Sequence, residues 1–258
     1  MANTALITGA SAGLGTEFAR YHASKGGDLI IVARRAESLE ALKTEIEGKH
    51  NVTVHVIAMD LAQADAPEKL YEAVKALGLD VKILINNAGF GGHGIHTERS
   101  LEDERAMISL NVTTLVGLTH LFAKDMVASG GGKILQVGST AGFLPGPNQA
   151  VYFATKAFVN SFSQAIDQEL RDKGVTSTVL APGYVETEFA KAANLEGTTM
   201  VKRGGATAKD VAKIGYDAMM DGKLVTINDK ALSLMLNWVA PLMPRRQALK
   251  MMQNMQAK

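Results

Sequence analysis

The 258-residue sequence contains no cysteine, which excludes disulfide bonds, thiolate zinc sites and a cysteine nucleophile. It also has no excess of positive charge, since 27 lysine and arginine residues are balanced by 26 aspartate and glutamate residues, giving a net charge of +1. Nucleic acid is therefore not an expected partner, because phosphate binding needs clustered lysine and arginine. The N-terminal sequence MANTALITGASAG has neither the basic nor the apolar region of a signal peptide, so a cytoplasmic location is expected.

Long apolar runs are absent as well. The longest, residues 231–243, is interrupted by an asparagine and a proline and is too short to span a bilayer, so no transmembrane anchor is expected. This run belongs to a C-terminal extension, residues 230–258, in which Trp238 is followed by Arg245 and Arg246. Such a segment can pack over a ligand cleft, join subunits or lie on a membrane surface. We favour the first two possibilities over peripheral membrane contact, because apolar patches are more often covered within oligomers.

Short apolar runs rich in β-branched residues alternate along the chain with amphipathic segments. The runs predict strands at residues 4–8, 29–32, 52–57, 81–85, 133–137, 175–180 and 224–227. Apolar spacing of three and four residues predicts helices that include residues 17–24, 39–46, 70–77 and 158–170. This alternation, with strands apolar on both faces, predicts a doubly wound parallel α/β sheet. Because no linker or composition shift divides the chain, residues 1–258 are expected to form a single domain.

Two weakly patterned segments, residues 90–100 and 184–206, follow predicted strands. In an open parallel sheet, ligands bind at the carboxyl ends of the strands, where both segments would begin. A structureless connection of about 20 residues is typical of a binding loop. We therefore predict that residues 184–206 form a lid over a substrate.

A glycine-rich sequence, TGASAGLG at residues 8–15, lies between the first predicted strand and the first predicted helix. Its glycines permit close approach of the backbone, and a helix N-terminus offers unpaired N–H groups to a phosphate, so the segment predicts a dinucleotide site. At the end of the second strand, Arg34 and Arg35 lie where an NAD site would carry an acidic residue for the ribose 2′-hydroxyl. Two guanidinium groups favour a 2′-phosphate and hence NADP(H), unless both arginines are simply solvated at a helix N-terminus.

Three further residues form a candidate proton-transfer group. Tyr152 and Lys156 are four residues apart at the start of a predicted helix, so their side chains project from one face. A nearby ammonium favours the phenolate and lowers the pKa of a tyrosine, which would make Tyr152 a usable acid or base near neutral pH. A YxxxK pair alone is usually a solvated helix face. It gains specificity from Ser139, which follows the strand before this helix.

The motifs occur together in an order that resembles the short-chain dehydrogenase/reductase family over nearly the whole chain. They are TGASAGLG at residues 8–15, Asp60 with Leu61, NNAG at residues 86–89, Asn111, Ser139, the YxxxK pair, and PGYVET at residues 182–187. The resemblance implies a Rossmann-type sheet of about seven parallel strands. It also implies a homodimer or homotetramer.

The resemblance further implies roles for individual residues. Tyr152 would give a proton to a substrate carbonyl oxygen during reduction, and Ser139 would hydrogen-bond the same oxygen. Lys156 would bind the nicotinamide ribose while lowering the pKa of Tyr152, and Asn111 would position a water that passes protons in from solvent. The implied cofactor contacts are Gly9, Ser11, Gly13, Leu14, Gly15, Arg34, Arg35, Asp60, Leu61, Asn87, Ala88, Gly89, Tyr152, Lys156, Pro182, Gly183, Val185 and Thr187.

The substrate pocket beside Ser139 and Tyr152 is expected to be apolar and to lack a fixed cation. Its predicted lining is Phe90, Phe143, Leu144, Tyr184 and Phe189. His93 and His96 are interpreted as residues of a substrate loop, and no metal is expected, because neither an HExxH motif nor a carboxylate cluster accompanies them.

Together these features predict an NADP(H)-dependent oxidoreductase that reduces an apolar ketone or 3-oxoacyl compound to a secondary alcohol. Two alternatives stay open. One is a dehydrogenase of a polar hydroxy compound, which charged residues in the pocket would favour. The other is an NADP-binding sensor that has lost turnover, against which the intact Ser139, Tyr152 and Lys156 argue.

Overall fold

The computed structural model describes residues 3–258, whose strands are β1 (Thr4–Thr8), β2 (Leu29–Ala33), β3 (Val54–Ala58), β4 (Val81–Asn86), β5 (Gly132–Val137), β6 (Val175–Leu180), β7 (Val185–Glu186), β8 (Ala206–Thr207) and β9 (Val225–Thr226). Seven of these strands form one parallel sheet in the spatial order β3-β2-β1-β4-β5-β6-β9. The short strands β7 and β8 pair with each other in a separate two-stranded sheet. The predicted doubly wound parallel sheet is confirmed.

Helices cover both faces of the sheet and part of its carboxyl edge. They are α1 (Gly13–Ala23), α2 (Ala36–Lys49), α3 (Ala66–Ala76), α4 (Leu101–Ile108), α5 (Leu115–Ala128), α6 (Ala150–Leu170), α7 (Phe189–Ala192), α8 (Thr199–Lys202), α9 (Ala208–Met220), α10 (Lys230–Leu234) and α11 (Arg245–Met255). A π-helical turn, Ser109–Thr114, joins α4 to α5 without a break.

Alternate residues of each central strand enter two separate apolar cores. In β1, Ala5 and Ile7 pack on one face of the sheet with Phe18 of α1. Leu6 points to the other face and packs with Phe122 of α5. Because both faces are buried, β2 and the middle residues of β1 and β4 are consecutive apolar residues instead of an alternating pattern.

The observed helices extend the helical stretches that the sequence spacing marks. Helix α6 begins at Ala150, just before Tyr152, and α1 begins at Gly13 within the glycine-rich sequence, so both helices open at the motifs where they are expected. The last strand is only Val225–Thr226, because it lies at the sheet edge and pairs with β6 alone.

The expectation that residues 184–206 lack regular structure is wrong. The segment contains β7, α7, α8 and β8, which surround a small apolar cluster formed by Ala190, Ala193 and Leu195. Elements of two to four residues are too short to produce a periodic pattern in the sequence.

One helical stretch of the described residues, Leu101–Ala128, is long and apolar enough to cross a membrane by length and composition. The expectation that the chain has no transmembrane anchor, drawn from residues 231–243, stays a prediction. The Leu101–Ala128 stretch packs against α3, α6 and β4, so part of its apolar surface is buried against the sheet and its neighbouring helices. A core helix of an α/β domain has this same composition.

The direction of strand order reverses between β1 and β4. Strands β2 and β3 lie on one side of this pair, whereas β5, β6 and β9 lie on the other. The connections that leave β1 and β4 therefore diverge at their carboxyl ends, where an open parallel sheet forms its ligand crevice.

Gly15 lies where α1 passes close to the loops that follow β1 and β4. A Cβ atom at this position would overlap the carbonyl oxygen of Gly9 and lie 2.7 Å from Nδ2 of Asn87.

We expect Gly15→Ala to lower the thermal midpoint by roughly 5 °C, because the opposing backbone cannot move aside as a flexible side chain can. Gly48→Ala, in α2 with open space around it, is the matched control and should be neutral or stabilising. Thermal unfolding measured by circular dichroism compares the two, and equal effects would contradict the close contact.

Candidate active site

A cavity of about 930 Å³ opens at the carboxyl edge of the sheet, around the point where strand order reverses. Its wall includes the glycine-rich loop, the residues that follow β2, β3, β4 and β5, and the segment after β6. Side chains from the C-terminal extension also contribute. The cavity therefore contains both the predicted dinucleotide residues and the predicted proton-transfer residues.

The glycine-rich loop presents bare backbone to this cavity. Gly9 and Gly13 have φ values of +69° and +56°, in the left-handed region that favours glycine. A Cβ atom at Gly9 would lie 2.9 Å from Cα of Ala88, and one at Gly13 would lie 3.1 Å from Cγ2 of Thr187. Ala12 precedes α1 and provides no side-chain cap, so the N–H groups of the first turn stay available to a ligand. A diphosphate fits this arrangement of free N–H groups at a helix N-terminus.

The two arginines after β2 have different environments. Arg35 donates to the carbonyl oxygen of Ser11 at 3.2 Å and forms an ion pair with Glu188 at 3.0 Å. Arg34 is exposed on the cavity wall and forms no hydrogen bond or ion pair with the residues that the structure describes. Arg34 is thus the guanidinium that is free to contact a phosphate group.

Most of the other predicted cofactor residues also lie on the cavity wall. They are Ser11, Leu14, Asp60, Leu61, Asn87, Ala88, Gly89, Pro182, Gly183, Val185 and Thr187. Some have a local structural contact as well: Asp60 accepts a hydrogen bond from N–H of Ala62 at 3.1 Å, and Thr187 accepts one from N–H of Phe189 at 3.3 Å. Gly15 is not on the wall, and its closeness to Gly9 shows that it serves the packing of α1 instead.

Ser139, Tyr152 and Lys156 are brought together on the cavity wall by β5 and α6. Ser139 follows β5, and its Oγ accepts a hydrogen bond from N–H of Ala141 at 3.0 Å. Lys156 lies one helical turn after Tyr152, and its Nζ is 5.9 Å from the centre of the Tyr152 ring. The same Nζ donates to the carbonyl oxygen of Val137 at 2.8 Å. This hydrogen bond fixes the position of the Lys156 ammonium group relative to the end of β5.

Burial controls the protonation of this group. Removal from water raises the pKa of Tyr152 to about 12, although the hydrogen bond with Ser139 acts in the opposite direction. Burial likewise lowers the pKa of Lys156 to about 8. The expected lowering of the Tyr152 pKa by Lys156 is therefore not found, because desolvation of the phenol dominates. At neutral pH the phenol retains its proton and is suited to act as an acid.

Asn111 lies in the π-helical turn and is 1% exposed, behind the cavity wall. Its Oδ1 accepts from N–H of Phe90 at 3.1 Å, and its Nδ2 donates to the carbonyl oxygen of Phe90 at 2.9 Å and to Oγ1 of Thr155 at 3.1 Å. The side chain thus fastens the loop after β4 to α6. Its position in a water relay stays a prediction.

The predicted substrate lining is only partly correct. Phe90, Leu144, Tyr184 and Phe189 contribute to the cavity wall, whereas Phe143 does not, because it ends a 3-10 turn, Thr140–Phe143, that directs it elsewhere. Arg203 lies on the wall of the larger cavity, and the expectation that the pocket beside Ser139 and Tyr152 lacks a fixed cation stays a prediction.

Several lining residues were missed by sequence reasoning. They are Gln149, Phe153, Leu195, Met200, Arg203, Leu232, Met235, Leu236, Met251, Met252, Met255 and Gln256. One available signal was the spacing of Met251, Met252 and Met255, which places them on one face of a helix. Helix α11 of the C-terminal extension presents this face to the cavity, whereas Trp238 and Leu242 are 72% and 84% exposed.

Residues 3–197 match the model of the short chain dehydrogenase family. The chain belongs to this family. A sulfoacetaldehyde reductase of Chromohalobacter salexigens is 40% identical over 212 residues, which cover 81% of this chain and 79% of that protein. The family is one of oxidoreductases, and the matched residues include Ser139, Tyr152 and Lys156.

Solved structures of short-chain dehydrogenases share the fold over almost the whole chain. A short-chain dehydrogenase from Sphingobium yanoikuyae in complex with NADPH has a TM-score of 0.85 at 29% identity, with 95% of this chain and 94% of that chain covered. The bulky-bulky ketone specific alcohol dehydrogenase from Comamonas testosteroni has a TM-score of 0.81 at 28% identity, with 95% and 92% covered.

The lowered pKa of Lys156 predicts a measurable effect on stability. The unfolded chain protonates this lysine up to its ordinary pKa of 10.5, whereas the folded protein does so only up to about 8. Between these values the unfolded state binds more protons, so the free energy of unfolding should rise with pH by about 1.4 kcal/mol per pH unit. Lys156→Met removes this contribution and should be more stable than the wild type near pH 7.

Urea unfolding at a series of pH values tests this expectation. The advantage of Lys156→Met should shrink by roughly 3 kcal/mol between about pH 8 and about pH 10. Lys124→Met, an exposed lysine in α5, is the control and should show no such trend. Parallel stability curves for Lys156→Met and the wild type would contradict the lowered pKa.

Proposed function

We propose that this short-chain dehydrogenase is an NADPH-dependent reductase of largely apolar ketones. The observation that carries the proposal is one cavity whose wall holds the hydroxyl groups of Ser139 and Tyr152 together with the bare glycine loop and the unpaired Arg34. The glycine loop would hold the diphosphate of the cofactor, and Arg34 would contact its 2′-phosphate. The relative from Sphingobium yanoikuyae, which was solved with NADPH, supports this choice of cofactor.

The chain's own residues supply the proton and the polar environment of the reaction. NADPH, when bound, supplies a hydride. Tyr152 Oη, which is protonated at neutral pH, gives its proton to the carbonyl oxygen of the substrate as negative charge develops there. Ser139 Oγ donates a hydrogen bond to the same oxygen as negative charge develops there. Lys156, whose pKa is about 8, is mostly charged at neutral pH and adds positive charge behind the phenol.

The apolar character of the proposed substrate follows from the side chains around Tyr152. Phe189 lies with its ring centre 5.5 Å from that of Tyr152, and the methionines of α11 line the same cavity. Methionine side chains are flexible and adapt to irregular apolar ligands. The ketone-specific relative from Comamonas testosteroni is consistent with this preference.

Arg203 favours a second candidate function, the reduction of a small anionic aldehyde. This arginine lies on the cavity wall and forms no ion pair with the residues that the structure describes. A guanidinium group binds a sulfonate or carboxylate through paired hydrogen bonds. The sulfoacetaldehyde reductase relative makes such a substrate worth testing beside ketones.

Substitution of the phenol tests the proposed reaction. We expect Tyr152→Phe to lower kcat for ketone reduction about 100-fold or more, because only the transferable proton is removed. NADPH binding, measured by fluorescence titration, should change little. Tyr71→Phe, whose hydroxyl bonds Asp125 far from the cavity, is the control and should retain activity. Near-normal turnover by Tyr152→Phe would refute the assignment of Tyr152 as the proton donor. Turnover of sulfoacetaldehyde by the wild type in the same assay would favour the second candidate function, reduction of a small anionic aldehyde.

Substitution of the unpaired arginine tests the preference for NADPH. Arg34→Ala should weaken NADPH binding about 10- to 100-fold and leave NADH binding nearly unchanged, because only NADPH carries the 2′-phosphate. Fluorescence titration with both nucleotides measures the two affinities. Arg105→Ala, an exposed arginine of α4 outside the cavity, should affect neither. Equal losses for NADPH and NADH would exclude a phosphate contact by Arg34.

A further inference from the structure

The C-terminal extension carries a group of large apolar side chains that the structure leaves uncovered. Leu234, Trp238, Val239 and Leu242 are each more than half exposed. They belong to a helical run that continues without a break from α10 through a π-helical turn and a 3-10 turn to Leu242. Residues four apart lie on the same side of a helix, so Leu234, Trp238 and Leu242 form one apolar stripe. An exposed apolar surface of this kind indicates an interaction site.

Other residues of the same helical run face the cavity. Leu232, Met235 and Leu236 line its wall. The extension is therefore packed over the ligand cleft with one side, as expected, and presents the apolar stripe on the side that is uncovered. A surface that bound the stripe would consequently lie next to the cavity.

Basic residues flank the apolar stripe at both ends. Lys230 begins α10, and Arg245 and Arg246 begin α11 directly after the stripe. All three are exposed, and none forms an ion pair with another residue of the range 3–258. The nearest acidic residue along the chain is Asp229, whose carboxylate caps α10 by accepting from N–H of Leu232.

The whole extension is positively charged, although the chain is nearly neutral. Residues 230–258 hold five of the 27 lysine and arginine residues and none of the 26 aspartate and glutamate residues. The rest of the chain therefore carries a net negative charge. Such an asymmetry, combined with exposed apolar side chains, is typical of a segment that contacts an anionic surface.

Charge also decides between the two simplest occupants of the apolar stripe. In a symmetric dimer the same patch meets itself, so Arg245 and Arg246 of one copy would approach the same arginines of the other. The extension has no acidic residue to offset that repulsion. The surface of an anionic bilayer instead offers an apolar boundary for the stripe and phosphate groups for the arginines. Tryptophan suits this boundary, because its ring is apolar and its N–H is polar.

We propose that the apolar stripe and its flanking basic residues dock this protein on the surface of an anionic membrane. Trp238 and the two leucines enter the boundary between headgroups and acyl chains, while Lys230, Arg245 and Arg246 pair with lipid phosphates. The sequence alone favoured packing over membrane contact. The structure changes that preference, because it shows the stripe uncovered and the adjacent cations unpaired. Docking is independent of the proposed reductase function, and it brings the cavity next to a store of apolar compounds.

Vesicle binding tests the proposed docking surface directly. Trp238 is the only tryptophan of the chain, so its fluorescence reports contact with lipid at the stripe itself. With phosphatidylcholine vesicles that contain phosphatidylserine, its emission should shift to shorter wavelength, and the protein should sediment with the vesicles. Binding to vesicles of phosphatidylcholine alone should be about tenfold weaker or more, because the contacts with anionic headgroups are lost. Added salt should weaken the binding for the same reason.

Two variants separate the apolar contribution from the charged one. Leu242→Ser should lower the partition coefficient onto anionic vesicles about tenfold, and Arg246→Gln should lower it about fivefold. Leu101→Ser and Arg105→Gln change an exposed leucine and an exposed arginine of α4, outside the extension. These matched controls should bind as the wild type does.

The opposite results would identify a different role for the stripe. No binding to anionic vesicles, equal binding to neutral ones, or equal losses in Arg246→Gln and Arg105→Gln would overturn membrane docking. Self-association that Leu242→Ser abolishes, measured by sedimentation velocity without lipid, would assign the stripe to a second copy of the chain and overturn it as well. Vesicle binding without turnover of any ketone would refute the reductase proposal alone.

Discussion

Hydrogen bonds between Thr8 and the segment after β4 hold the two halves of the sheet together at their carboxyl ends. Oγ1 of Thr8 accepts from the N–H groups of Asn87 and Ala88, both at 3.0 Å. Nδ2 of Asn87 donates in return to the carbonyl oxygens of Thr8 and Gly9, at 2.9 and 3.2 Å. The glycine-rich loop and the loop after β4 both leave the sheet from this junction, so their separation, and with it the cavity, depends on these contacts.

The junction also explains the residues next to it. Because the loops after β1 and β4 approach so closely, a side chain at Gly9 would collide with the backbone of Ala88. Asn111 extends the same arrangement by holding the backbone of Phe90 against α6. The polar residues at this junction thus position the backbone of the two loops that border the cavity.

Tyr152 and Lys156 lie in an environment that opposes charge. Both project from the first turns of α6 into buried surroundings, where burial favours the neutral form of each. For Tyr152 this environment raises the pKa of the phenol, whose proton the proposed reduction would transfer to a carbonyl oxygen. For Lys156 it destabilises the ammonium, and the hydrogen bond to Val137 offsets part of that effect. At neutral pH both groups nevertheless keep their ordinary protonation states, so the effect of burial is to make the ammonium of Lys156 cost stability.

The order of strands and helices, the parallel sheet and the glycine-rich loop were predictable from the sequence, because apolar periodicity and short motifs reflect local structure. The spacing of Tyr152 and Lys156 and the arginines after β2 were predictable for the same reason. Only the tertiary structure decided which arginine is free, that Phe143 is outside the cavity, and that burial controls the Tyr152 pKa. It alone brought Gln149 to Gln256, which are 107 residues apart. The family match ends at residue 197, and Arg203 and α11 lie beyond it. The part of the cavity that these residues line therefore depends on packing between distant segments, and such packing leaves no local pattern in a single sequence.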